Sequence, residues 1–74
     1  MKNENGMRQI IIYRGEDNYW VAECPSLPGC ITQGRTKKDA VENMKEAIEV
    51  YILALRDDNQ PVPEDHLDAL LIAV

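Results

Sequence analysis

The chain has 74 residues, of which 45% are apolar, 8 basic and 13 acidic, for a net charge of −5 at pH 7. That length holds one small domain, and the apolar fraction excludes a disordered chain. The acidic excess opposes gripping a nucleic-acid backbone, which needs Lys and Arg to displace counterions, and it suits a basic protein partner.

Residues 1–6, Met-Lys-Asn-Glu-Asn-Gly, are polar and read as a flexible lead to a single domain over 7–74. Segment 7–14, MRQIIIYR, carries three consecutive isoleucines and a tyrosine, and β-branched and aromatic residues favour a strand. Gly15-Glu16-Asp17-Asn18 is turn chemistry, since Gly tolerates a positive φ and Asp and Asn bond their own backbone. Segment 19–24, YWVAEC, follows as a second strand, so the two form a hairpin. Pro25-Ser26-Leu27-Pro28-Gly29 breaks regular pairing because its prolines lack amide donors. Leu27 is the expected apolar anchor of this stiff loop, and 30–34, CITQG, is a short third strand.

The helix is the clearest element. Thr36 caps it, with Asp39 three residues on. Ala40, Val41, Met44, Ala47, Ile48, Tyr51, Ile52 and Leu55 recur at 3,4 spacing and form one continuous apolar stripe. The helix is predicted over 37–56, with Asn59 and Pro61 ending it. Val50 and Leu53 fall outside the stripe, either as a self-association patch or under the C-terminal segment. Segment 69–74, ALLIAV, is apolar throughout and reads as a buried fourth strand, with a helical start near Glu64–Leu67 as the alternative.

The predicted order is β-β-β-α-β. It is an α+β two-layer fold, with a three-stranded antiparallel sheet, one further strand and a single helix on one face. A helix between strands requires a crossover, so the last strand is expected parallel to a hairpin strand. Ala22 and Cys24 are small enough to admit the helix, which places Trp20, Ala22 and Cys24 inward. Tyr19, Val21 and Glu23 then share an uncovered face with part of the isoleucine run, and such a patch marks an interface. With Leu27 they are the candidate partner-binding residues.

The stretch Cys24-Pro25-Ser26-Leu27-Pro28-Gly29-Cys30-Ile31-Thr32-Gln33-Gly34-Arg35-Thr36 resembles the HicB antitoxin family. Ala40, the run Lys45-Glu46-Ala47-Ile48 and the tail Asp58-Asn59-Gln60-Pro61-Val62-Pro63 continue the likeness, which covers about 7–63. It implies a partial ribonuclease-H-like fold. It also implies a role in binding and silencing a small basic HicA-type toxin, an mRNA-cleaving ribonuclease. The family commonly has an acidic residue where Ser26 stands. Full-length members usually carry a C-terminal DNA-binding domain, and the sequence closes at Val74, so specific DNA binding is not expected.

No catalytic, cofactor or metal residues are assigned. Ribonuclease-H chemistry needs carboxylates converging on divalent metal ions, yet the centre of the first strand is Ile10-Ile11-Ile12 and Glu23 is the one acid on a predicted strand. A zinc site needs four ligands, and the sequence offers Cys24, Cys30 and a distant His66. The cysteines read as buried reduced thiols, with a disulfide or redox role as the alternative. His66 reads as a surface residue. Trp20 reads as core sooner than as a binding hot spot, and Arg35, Lys37 and Lys38 as a solvated cluster sooner than a phosphate contact.

No apolar run approaches the ~20 residues of a membrane span, and the lead has no apolar signal region. With two cysteines and no export signal, a cytoplasmic setting is expected. The sequence thus predicts a non-catalytic antitoxin-like domain that occludes a HicA-type toxin and assembles as a homodimer or homotetramer. The alternative is a stand-alone homo-oligomeric domain with a regulatory or small-molecule role.

Overall fold

A computed structural model describes residues 8–65 and 72–73. The elements are β1 (Ile11–Arg14), a 3-10 turn (Glu16–Asn18), β2 (Trp20–Glu23), β3 (Ile31–Gly34) and α1 (Lys37–Asp57). The strands form an antiparallel meander in the order β1-β2-β3. Ile12, Ala22 and Thr32 lie in one row of the register, and Ile11, Glu23 and Ile31 in the next.

β1 begins at Ile11, later than the sequence predicts, and β2 and β3 are shorter than predicted because the turn and the Pro loop take their end residues. The Tyr19 amide donates to Glu16 O at 3.2 Å and the Gly15 amide to Tyr19 O at 2.7 Å, so the ladder stops at Arg14 and Trp20. Gly15 does not supply the positive φ. Asp17 (φ 59°) and Asn18 (φ 63°) do, as short polar side chains allow. Gly15 is needed for space, since a Cβ there would lie 2.6 Å from Val21 Cγ2.

The Pro loop is a closed unit. Leu27 N–H donates to Cys24 O, Cys30 N–H to Leu27 O and Cys24 N–H to Cys30 O, each at 3.0 Å. Gly29 turns the chain at φ 81°. Leu27 is fully buried and pins the loop from inside, while the Tyr51 hydroxyl donates to Pro28 O at 2.7 Å from the helix.

Helix α1 starts and stops as its sequence dictates. The Asp39 amide donates to Thr36 Oγ1 at 3.0 Å. At the other end Asn59 adopts φ 56°, the Gln60 amide reaches Leu55 O at 2.8 Å and the Asn59 amide reaches Arg56 O at 3.0 Å. That pair of bonds is a Schellman closure with Asn at the left-handed position. Between the caps Ala40, Met44, Ile48 and Ile52 are buried against Ala22, Cys24, Leu27 and Cys30. Ile10, Ile12, Trp20, Ala47, Tyr51 and Val62 pack around that core. At Gly34 a Cβ would lie 2.6 Å from Ala40 N, so only glycine lets β3 approach the first helical turn this closely.

Beyond the helix, the chain returns to the start of β1. Arg8 donates to Ser26 Oγ at 2.7 Å and to Pro63 O at 2.6 Å, and the Gln9 amide donates to the Asp65 carboxylate at 3.2 Å. Arg8 Nε is buried without a hydrogen-bond partner among the described residues.

No fourth strand is present among the described residues. Of segment 69–74 only Ile72 and Ala73 are described, neither in a strand, and Ile72 is exposed rather than buried. The lead 1–6 and His66 lie outside the described residues.

Ile48 sits at the centre of the buried stripe and Glu46 on the exposed side of the same helix. Ile48→Ala is expected to cost ~2–5 kcal/mol, most of the ~5 kcal/mol available to so small a domain. Glu46→Ala is expected to change stability by less than ~0.5 kcal/mol. Chemical denaturation of the two variants side by side checks this, and equal midpoints would contradict the packing.

Candidate functional site: the uncovered sheet face

Strand alternation sorts the sheet into two faces. The face carrying Ala22, Thr32 and Gly34 receives α1. The other carries Ile11, Tyr13, Val21, Glu23, Ile31 and Gln33, and among the described residues nothing lies over it. Tyr13 is 42% exposed and Ile31 54%, while Ile11, Val21 and Glu23 are half-buried by their strand neighbours. Glu23 stands directly between Ile11 and Ile31 in the register, a carboxylate set in an apolar row.

The structure brings Val21 and Glu23 together on this face and puts Tyr19 at its edge, in the β1–β2 connection. It separates Leu27 from them. Leu27 is buried under the Pro loop, so it shapes the site from inside and presents no surface to a partner. Sequence reasoning missed Tyr13 and Ile31, the two most exposed apolar residues of the face. Period-two counting back from Glu23 through the turn would have found Tyr13. Placing Ile31 required the register of a four-residue strand.

The helix-side features are structural. Trp20 packs against the core, with Arg14 4.8 Å and Lys37 5.0 Å from its ring centroid. Those cations flank the indole. Ser26, which departs from the acidic residue common in the resembled family, accepts the Arg8 bond. Val50 and Leu53 are 65% and 59% exposed on the far side of α1.

Cys24 and Cys30 are free and buried. The register carries them opposite each other, and Cys30 Sγ lies 3.8 Å from Met44 Sδ. Burial pushes the Cys30 thiol above the ordinary thiol pKa, and the neighbouring Cys24 adds to that rise. Among the described residues no three of His, Cys, Asp and Glu cluster closely enough to hold a metal ion, and no helix is long and apolar enough to cross a membrane.

A family model described as the HicB-like antitoxin of bacterial toxin–antitoxin systems matches residues 9–72. The chain belongs to the HicB-like antitoxin family. A UPF0150 protein of Thermoplasma acidophilum is 46% identical over 63 residues, covering 85% of this chain and 91% of its own. One from Synechocystis is 41% identical over 58 residues, covering 78% and 73%, and one from Archaeoglobus fulgidus is 49% identical over 43 residues, covering 58% and 62%. No solved structure matches the chain. The HicB-like match runs to residue 72, past the end of the stretch that carries the sequence resemblance, and spans every element of the fold.

The Cys30 shift predicts how this HicB-like domain responds to alkali. A thiol whose folded pKa is raised contributes stability below its unfolded pKa and loses it as pH rises through the folded one. Stability is therefore expected to fall in the alkaline window that opens at the ordinary thiol pKa, about 8.5. Cys30→Ala should flatten that slope even though its absolute stability drops. Denaturation midpoints across the window check it, and identical slopes would contradict it.

Proposed function

We propose that this HicB-like chain is a non-catalytic, cytoplasmic antitoxin. It binds a small basic HicA-type ribonuclease through the uncovered sheet face and occludes its active site or RNA-binding surface. The observation that carries the reading is the apolar face with Glu23 at its centre, on a chain of net charge −5. Apolar area gives the contact its strength, and the carboxylate selects a cationic partner and speeds its approach. Tyr19, Val21 and Glu23 are the proposed contact residues, joined by Tyr13 and Ile31, with Leu27 holding the loop beside them. Family membership supports a toxin–antitoxin role. The strands and helix are taken as part of the ribonuclease-H-like arrangement that the resemblance implies.

The second reading, a stand-alone homodimer or homotetramer, is favoured by one feature. Val50 and Leu53 expose two large apolar side chains on the helix face away from the core. Such a pair, three residues apart, forms one contact patch.

The test is inhibition of RNA cleavage by the HicA-type protein of the same genome. The wild-type chain is expected to inhibit, and Glu23→Arg to weaken inhibition by roughly tenfold or more. Full inhibition by Glu23→Arg would contradict this use of the face. Absence of inhibition by the wild-type chain would leave the oligomeric reading in its place.

A further inference from the structure

The hydrogen-bond pattern of the sheet fixes which backbone groups of β3 are free. Cys24 N–H donates to Cys30 O, and Gly15 N–H donates to Tyr19 O. In an antiparallel ladder, bonded pairs recur every second residue. Trp20, Ala22 and Cys24 therefore turn their backbone groups to β3, and Tyr19, Val21 and Glu23 turn theirs to β1. On β3, Thr32 and Gly34 point back at β2, and Ile31 and Gln33 point out of the sheet. The Gln33 carbonyl is already taken, because Asn43 Nδ2 donates to it at 2.9 Å from α1. Ile31 keeps both its N–H and its C=O without a partner among the described residues.

Charge surrounds this free site on both faces. Glu23 is the register neighbour of Ile31 on the outer face. On the helix side, Glu46 and Ile31 line one shallow groove with Ala47 and Val50. A second copy of the chain paired symmetrically about Ile31 would gather two copies of Glu23 and two of Glu46 around one axis, and like charges set opposite each other are destabilising. A cationic strand meets the opposite situation. Successive side chains of an extended segment point to opposite faces, so adjacent Lys or Arg residues would meet Glu23 on one face and Glu46 on the other.

We propose that the free edge of β3 takes up an extended basic segment of the partner protein, which adds to the sheet through the backbone of Ile31 and pairs its cations with Glu23 and Glu46. Strand addition of this kind draws affinity from main-chain bonds and specificity from alternate side chains. The inference rests on the toxin reading and specifies how the toxin is held.

Ile31→Pro is the direct test. It removes the outward N–H, which the ladder does not use, and proline is tolerated on an edge strand. Titration of the HicA-type protein of the same genome is expected to show binding weakened by roughly tenfold or more for Ile31→Pro, and unchanged for Ile31→Val. Glu46→Lys is expected to weaken binding and reduce its salt dependence without moving the unfolding midpoint. Should Ile31→Pro fail to fold by circular dichroism, Glu46→Lys and the hydrogen exchange of the Ile31 amide in the wild-type complex decide. Protection of that amide supports strand addition, and free exchange overturns it. Wild-type affinity retained by a folded Ile31→Pro overturns the inference and leaves the toxin reading standing. Failure of the wild-type chain to bind sinks both.

Discussion

The close approach of β3 to the first turn of α1 sets everything else in this fold. Gly34 has no room for a Cβ beneath Ala40, and Ala22 and Ala40 are both fully buried. Small residues at this junction bring the helix backbone down onto the sheet, where Met44, Ile48 and Ile52 reach the loop anchored by Leu27. A larger side chain at Gly34 would lift the helix start and unseat its Thr36 cap. With the helix held down over one face, the described residues share one core, and none of them lies over the opposite sheet face.

That division explains how a domain of marginal size can keep an apolar surface. A small domain buries a limited share of its area. Among the described residues the burial is concentrated in eight side chains between α1, the sheet and the Pro loop. Ile11 and Ile31 lie on the outer face, where they stabilise the fold little and are available to a partner. The sheet edge is handled with similar economy. Exposed edges invite unwanted pairing, which proteins limit by keeping them short or occupied. On β3, Asn43 occupies the Gln33 carbonyl, which leaves Ile31, between two carboxylates, as the residue with both backbone groups open.

Most of the fold was legible in local chemistry. The 3,4 stripe from Ala40 to Leu55, the Thr36 cap and the Asn59 stop defined the helix to within one residue, because each acts through near neighbours. Ala22 and Cys24 indicated the helix-facing side through size alone. What local chemistry left open depends on distant contacts. Asp17 and Asn18 take the left-handed turn positions, and Gly15 is needed instead because a Cβ there would meet Val21, a contact made only once the hairpin closes. Leu27 read equally well as anchor and as contact residue, and only the closed loop sends it inward. Ile31 lies beside a proline loop on a four-residue strand, too short for period-two patterning to show which way it faces.

The central claim is that one sheet face is open in the isolated chain and closes on a basic partner. Hydroxyl-radical footprinting read by mass spectrometry tests it directly. In the free protein Tyr13 and Ile31 should be oxidised readily while Met44 and Leu27 are spared. Addition of the HicA-type protein should protect Tyr13 and Ile31 and leave Leu53, on the far side of α1, as reactive as before. Tyr13 and Ile31 already protected in the free chain, or still reactive in the complex, would contradict the account.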